Sequence, residues 1–298
     1  MNTPLQNRFE TQLRSLTGFD FQDMVIKIFQ MKYGETGFTD IRPQKDKGND
    51  GIVESEKRII ACYGPEETQN TAKRQKDFEA KAKGDFEQYK THWETQYPKW
   101  SIVINHKIDP QYDKIVKELS SNGTVIGLSQ LLTIIDNLKN YQKRQLGSYL
   151  KIDKELFATD FLGEILEDML KEDEDLTITT PYQPKGIIEI GEKILNNFNK
   201  EEIDEVKSEY ESILLEGIFN QVNNLLYGYE DSEIVKIKRR IIYDYTHKSN
   251  GNFNGRLEQL TNLYLEKYSS ERDDDYLYYV RGLLLYLFEQ CLIGIKTQ

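Results

Sequence analysis

Apolar and polar positions alternate with two different periods in the first half of the chain. Between 19 and 32, Phe21, Met24, Val25, Ile28 and Phe29 fall on one helical stripe. Residues 38–43 read as a short extended piece stopped by Pro43. Two apolar runs follow, 51–53 and 58–63, on either side of the polar Glu54-Ser55-Glu56-Lys57 turn, and together they predict a hairpin. A highly charged helical stretch occupies 68–97, punctuated by Gly84 and ended by Pro98. Residues 100–104 (WSIVI) predict a buried strand and 109–120 an amphipathic helix. A second strand at 124–128 leads into a helix capped by Ser129 and carrying Leu132, Ile135 and Leu138. Strands separated by helices point to an α/β layer fold with a mixed sheet and flanking helices.

After Gly147 the strand signal fades. Residues 154–169 predict a helix with Leu156, Phe157, Phe161, Leu162, Ile165 and Leu166 on one side. The segment 173–184 (DEDLTITTPYQP) reads as a linker. Helical stripes then run through 187–198, 201–227, 233–245, 256–268 and 274–295, which predicts an all-α bundle. The expected division is therefore an α/β domain over 1–146, a helix and linker over 147–184, and a helical interaction domain over 185–298.

Charge sharpens that division. Residues 1–146 hold 22 Lys and Arg against 20 Asp and Glu, whereas the remainder holds 17 against 30. The acidic half repels a phosphate backbone and suits a protein partner, and the near-neutral half can still carry a local basic strip. With 38% hydrophobic residues and 19 tyrosines, a packed core is expected throughout. Cys62 and Cys291 are too far apart in sequence to suggest a ligand pair, and the polar start MNTPLQNRFETQL lacks an apolar core. The 282–295 stretch is interrupted by Glu289 and Gln290 and is too short for a bilayer. A cytoplasmic protein with no membrane segment is the expectation.

Several chemistries find no support. There is no GxSxG elbow, Walker lysine loop or dinucleotide fingerprint. His92, His106 and His247 stand without partners at ligand spacing. The basic run Lys236, Lys238, Arg239 and Arg240 reads as the solvated face of a helix. Tyr276, Tyr278 and Tyr279 read as core packing before partner binding.

What remains is Asp50. An acid followed by glycine, one short hairpin before a buried strand, can bring a carboxylate to a metal, and Mg²⁺ requires further oxygen ligands beside it. Alternation sets Ala61 and Tyr63 on one face of the next strand and Cys62 on the other. Ala61 cannot ligate and Tyr63 carries no charge at neutral pH. Replacement groups would come from Glu66 or Glu67, from Gln22 or Asp23, and from Lys73. A nuclease site built this way comprises Asp50, Glu66, Lys73 and Tyr63, with Asp50 and Glu66 as the Mg²⁺ ligands. Lys45, Lys47, Lys73, Arg74 and Lys76 form the expected nucleic-acid strip, which Lys81 and Lys83 extend along the same helix and Asp77, Glu79 and Asp85 dilute.

The run GFDFQDM, TDIRP, KGNDGIV, IIACYGPEE, KWSIVIN and VIGLSQL, covering about 16–136, resembles the N-terminal domain of prokaryotic ABC-three-component conflict (antiphage defence) systems. That domain is a divergent restriction-endonuclease, PD-(D/E)XK or Mrr-like, fold. The matching residues are Arg42-Pro43, Asn49-Asp50-Gly51 and Tyr63-Gly64-Pro65. The chain departs at Ala61, where the family has glutamine, and lacks the (D/E)-x-K pair, with Ala61 and Tyr63 in its place. The resemblance implies an antiphage or anti-plasmid role beside an SMC-type ABC ATPase and other defence subunits, with the acidic helical domain docking a partner. Two functions stay open: an assembly or nucleic-acid-sensing module with a degenerate site, and an active Mg²⁺-dependent DNA endonuclease using Asp50 with relocated acidic and lysine residues. A plain structural scaffold is a third.

Overall fold

The computed structural model describes residues 3–41, 49–171, 189–266, 274–290 and 292–294. Arg42-Pro43, Lys45, Lys47, the 173–184 linker and Cys291 therefore lie outside the described residues. The chain divides into two compact units, Met1–Lys154 and Glu155–Gln298. The helix expected over 154–169 thus falls in the second unit, eight residues beyond the division expected at 146.

The first unit opens with a helix that the stripe reading did not anticipate. α1 (Pro4–Ser15) has Pro4 in its first turn and the Thr3 side chain accepting from the Gln6 amide, and it buries Leu5, Phe9 and Leu13. α2 (Gly18–Tyr33) buries the expected stripe. β1 (Phe38–Asp40), β2 (Gly51–Val53) and β3 (Arg58–Tyr63) follow, then α3 (Thr71–His92), β4 (Lys99–Ile104), α4 (Pro110–Leu119), β5 (Gly123–Ile126), α5 (Leu128–Asp136) and α6 (Asn140–Tyr149). The five strands make one mixed sheet in chain order. β1, β2 and β3 form an antiparallel meander, and β4 and β5 run parallel to β3. Parallel pairing needs crossovers, and the charged α3 and the amphipathic α4 provide them.

The strands alternate faces. Ile59 and Ala61 of β3 and Trp100, Ile102 and Ile104 of β4 share one core with Phe78, Ala82, Phe86, Tyr112, Ile115 and Val116 from α3 and α4. α2 lies against β3, and a Cβ on Gly64 would come within 2.7 Å of Phe21, so only glycine lets the strand end approach this helix. The last strand stops earlier than its apolar run suggested. Gly127 caps α5, and the Gln130 side chain accepts its amide at 3.1 Å, so Ser129 is already inside the helix.

The second unit is helical among its described residues: α7 (Lys154–Lys171), α8 (Ile190–Asn197), α9 (Ile203–Leu215), α10 (Ile218–Leu226), α11 (Asp231–His247), α12 (Phe253–Leu265) and α13 (Asp274–Glu289). They share one core running from Phe161 and Leu162 through Ile213, Val222, Ile241 and Leu257 to Leu284 and Phe288. The stripe over 201–227 is two helices rather than one. Gly217 sits at φ +72°, a left-handed conformation that ends α9 and turns the chain into α10. Tyr276 stacks on Phe161 with ring centroids 3.9 Å apart, in line with the core reading.

The basic run on α11 is a correction. Arg240 is not on a solvated face: it is buried and pairs with buried Asp244 one turn later, at 3.0–3.1 Å. An isolated buried guanidinium is costly, and an acid at i+4 on the same stripe offsets part of that cost.

Candidate functional site

Asp50 stands just ahead of β2, whose first residue, Gly51, pairs with Ile60 of β3. Asp50 is 6% exposed. Its main-chain N–H donates to the Ile60 carbonyl at 2.8 Å, and its Oδ2 accepts the Cys62 backbone N–H at 2.6 Å. A carboxylate accepting a backbone amide is a charge-assisted bond of the stronger kind. It fixes the Asp50 side chain along the β2–β3 edge. Gly51 is required beside it by space: a Cβ there would lie 2.2 Å from the Phe38 ring.

Asn49 is fully buried, and neither atom of its side-chain amide has a partner among the described residues. Burial raises the Cys62 thiol well above its usual pKa, and the adjacent Asp50 carboxylate raises it further. The protonated thiol is thus neither a nucleophile nor a metal ligand at neutral pH.

Two charged groups of α3 act with Asp50: Lys81, which the sequence places in the expected phosphate-facing strip, and Asp85, one of the acids that dilute it. Ala61 and Ala82 are both fully buried in the same core, so their small side chains let α3 lie close over β3. Lys81 Nζ stands 2.8 Å and 3.0 Å from the two Asp85 carboxylate oxygens. Burial lowers the Lys81 pKa, but Asp85 and then Asp50 outweigh it, so the ammonium is held charged above its usual range. The charges of both acids act on this one cation.

The other expected site residues fall elsewhere. Glu66 is exposed in the loop after β3 and Lys73 is exposed in the first turn of α3. Tyr63 turns to α3: its hydroxyl donates to the Arg74 carbonyl at 3.3 Å, and its ring lies edge-on to Phe78. Its pKa is pushed up to about 12 by burial and by Asp77. Arg74 is not part of a phosphate-facing strip. Its guanidinium donates to the Glu67 and Gln69 carbonyls at 2.8 Å and 2.9 Å, closing the loop ahead of α3. Lys83 pairs with Glu79 at 2.6 Å, while Lys73 and Lys76 remain exposed.

The loop after β3 is anchored through Asn105 at the end of β4, whose side-chain amide donates to the carbonyls of Arg14, Leu16 and Pro65. Its oxygen is left to accept from His106 Nδ1 at 3.1 Å, which sets the neutral tautomer of the ring. Burial first, then the Arg74 and Arg14 charges, lower the His106 pKa to about 4.

The Mg²⁺ ion that a nuclease of this type would use does not fit this donor set. Asp50 already accepts an amide, Asp85 already holds an ammonium, and β3 offers Ala61 and the protonated Cys62 as its next candidates. Among the described residues no group of three or more His, Cys, Asp or Glu stands at metal-holding distance.

In the second unit, Glu202, Glu205, Glu209 and Glu258 line a cavity of about 520 Å³ with Asn254, Asn262 and Arg281. Arg281 pairs with Glu209 and donates to the Asn254 side-chain oxygen at 2.7 Å. No described helix is long and apolar enough to cross a membrane.

No family model, curated protein or solved structure matches the chain.

Proposed function

We propose that this chain is a non-catalytic, restriction-endonuclease-like subunit of a prokaryotic antiphage or anti-plasmid defence complex. It acts in the cytoplasm as an assembly or nucleic-acid-sensing module beside an SMC/ABC-type ATPase. The observation that carries this reading is the state of Asp50: buried, bonded to the Cys62 amide, and beside a strand that offers only Ala61, Cys62 and Tyr63 where further ligands are needed. The meander followed by a helical crossover to a parallel strand supports the fold assignment, with Asp50 just ahead of the middle meander strand. The four glutamates around the second unit's cavity support a basic protein surface as the docking partner.

A second reading rests on Lys81 and Asp85. With Asp50 they supply two acids and a lysine, the residue types a Mg²⁺-dependent endonuclease needs. Incubating the purified chain with supercoiled plasmid, Mg²⁺ or Mn²⁺ and low salt separates the two, with Asp50→Asn and Lys81→Gln as controls. The expected result is no cutting by any of the three proteins. Cutting by the wild type that both substitutions abolish would establish the endonuclease instead. The defence role is tested by co-expression with an ABC ATPase encoded beside the gene. A complex stable in gel filtration is expected, and no such neighbour, or no complex, sinks the assignment.

A further inference from the structure

We propose that Asn250 is a self-modification site, where the folded chain converts asparagine to aspartate and isoaspartate without an enzyme, and that the isoaspartyl product unfastens the α11–α12 connection. The sequence holds three Asn-Gly pairs: Asn122-Gly123, Asn250-Gly251 and Asn254-Gly255. In such a pair the glycine main-chain nitrogen can attack the asparagine side-chain carbonyl carbon. The N–Cγ bond forms, the Cγ–Nδ2 bond breaks, and the glycine amide proton leaves with Nδ2 as ammonia, giving a cyclic succinimide. Water then opens either ring carbonyl. One opening leaves aspartate, and the other leaves isoaspartate, whose main chain runs through Cβ and Cγ. The attack needs a free glycine N–H and a side chain able to turn onto it.

The fold meets those needs at one pair. Gly123 opens β5, where it pairs with Trp100, and its N–H donates to the Ser120 carbonyl at 3.0 Å. Asn254 lies in the first turn of α12 with both ends of its amide held: Nδ2 donates to Glu202 at 3.2 Å and Oδ1 accepts from Arg281 at 2.7 Å. The Gly255 N–H donates to the Asn252 side chain that caps this helix, at 2.9 Å. Asn250 and Gly251 are exposed between α11 and α12. Among the described residues neither the Asn250 side chain nor the Gly251 N–H has a hydrogen-bond partner.

The Asn250 main chain, by contrast, is held. Its N–H donates to Gln259 Oε1 at 3.1 Å, and its carbonyl accepts from Gln259 Nε2 at 3.0 Å. One glutamine of α12 therefore brackets the two main-chain groups of a single residue. Aspartate keeps their spacing and adds only a charge. Isoaspartate inserts a methylene between them, so both Gln259 bonds cannot be kept. This inference goes beyond the function proposed above and does not depend on it.

The test ages the full chain in mildly alkaline buffer, folded and in urea, and follows the three asparagines by peptide mass spectrometry. Ser121-Asn122-Gly123 and Ser249-Asn250-Gly251 share their tripeptide, so a difference between them reports the fold. In the folded chain Asn250 should convert at least about tenfold faster than Asn122, whose glycine N–H must first give up its bond and its place in the sheet. In urea the two rates should converge. Folded-state conversion at Asn250 that is no faster than at Asn122, or the same excess in urea, overturns the proposal. Limited proteolysis reads the product: aged wild type should be cut between α11 and α12 faster than fresh wild type and than the Asn250→Asp variant, while Asn250→Ser should not change with age. Aged wild type that resists cutting as well as Asn250→Asp would overturn the loss of the Gln259 bracket.

Discussion

Asp50 and Cys62 are joined across the β2–β3 edge by a 2.6 Å bond from the Cys62 main-chain N–H to the Asp50 carboxylate. The Asp50 carboxylate is thus part of the hairpin's own hydrogen bonding. Asp50→Ala strands a buried N–H, and a cost of about 1–3 kcal/mol is expected in urea unfolding. Asp50→Asn retains an oxygen acceptor and should cost clearly less. Equal losses for the two variants would show that charge, not the hydrogen bond, is what matters there.

Gly51 is needed for space. The nearest atom to an added Cβ is in the ring of buried Phe38, at 2.2 Å, so neither side can yield freely. Gly51→Ala should lower stability by about 1–3 kcal/mol through overpacking. Combining it with Phe38→Leu should recover part of that loss, and strict additivity in the double-mutant cycle would contradict the clash.

Arg58 ties three strands together. It donates to Glu56 at 2.8 Å, to Ser101 at 2.6 Å and to Thr124 at 2.9 Å, and Tyr33 donates to Glu56 at 2.5 Å from α2. Arg58→Met should destabilise by about 1–2 kcal/mol, because half-buried Glu56 loses its cation while Ser101 and Thr124 still bond each other. Burial alone would raise the Glu56 pKa, but the Tyr33 and Arg58 bonds outweigh it and lower it. Its contribution is therefore present above the ordinary carboxylate pKa and lost as pH falls through the depressed folded value. Glu56→Gln should flatten the acid limb of stability against pH, and an unchanged limb would remove Glu56 from the account.

His106 adds a second, higher acid window. Its folded pKa lies near 4 against an ordinary 6.5, so between those values the unfolded chain takes up a proton that the folded chain refuses. The stabilising effect is complete above 6.5 and declines as pH falls toward 4. A urea series at pH 7, 6, 5 and 4.5 should show a shallower decline for His106→Gln than for wild type. Parallel curves would mean that the ring is protonated in the folded state as easily as in the unfolded one.

In the second unit, Lys193 closes α13. Its ammonium is buried and donates to the carbonyls of Phe288 and Glu289 at 2.9 Å and 2.5 Å, satisfying the last turn of a helix. Lys193→Met keeps the stem and removes the donors, and should cost about 1–3 kcal/mol in thermal or urea unfolding. A neutral outcome would show that water reaches those carbonyls.

Much of the fold was legible along the chain because its elements are specified locally. The polar turn 54–57 between two apolar runs defines the hairpin, and the stripe from Phe21 to Phe29 defines α2. Signals at single residues were harder to weigh. Gly217 divides one apparent helix into two, and Thr3 and Pro4 start a helix whose stripe is only Leu5, Phe9 and Leu13. Arg240 read as a surface cation, although Asp244 one turn on the same face was available as the sign of a buried pair.

By itself the sequence determined the α/β-then-helical order, the Asp50-Gly51 position ahead of a buried strand, and the absence of acidic or cationic side chains at Ala61 and Tyr63. Those follow from period, turn chemistry and residue identity, all of which act over a few residues. Only the tertiary structure decided which charges meet Asp50. Lys73 lies closer to it in sequence, but Lys81 and Asp85, on either side of the buried Ala82 in α3, are the helix groups whose charges act with that of Asp50. Helix rotation over a sheet is set by how side chains pack in three dimensions, and no spacing along the chain encodes it.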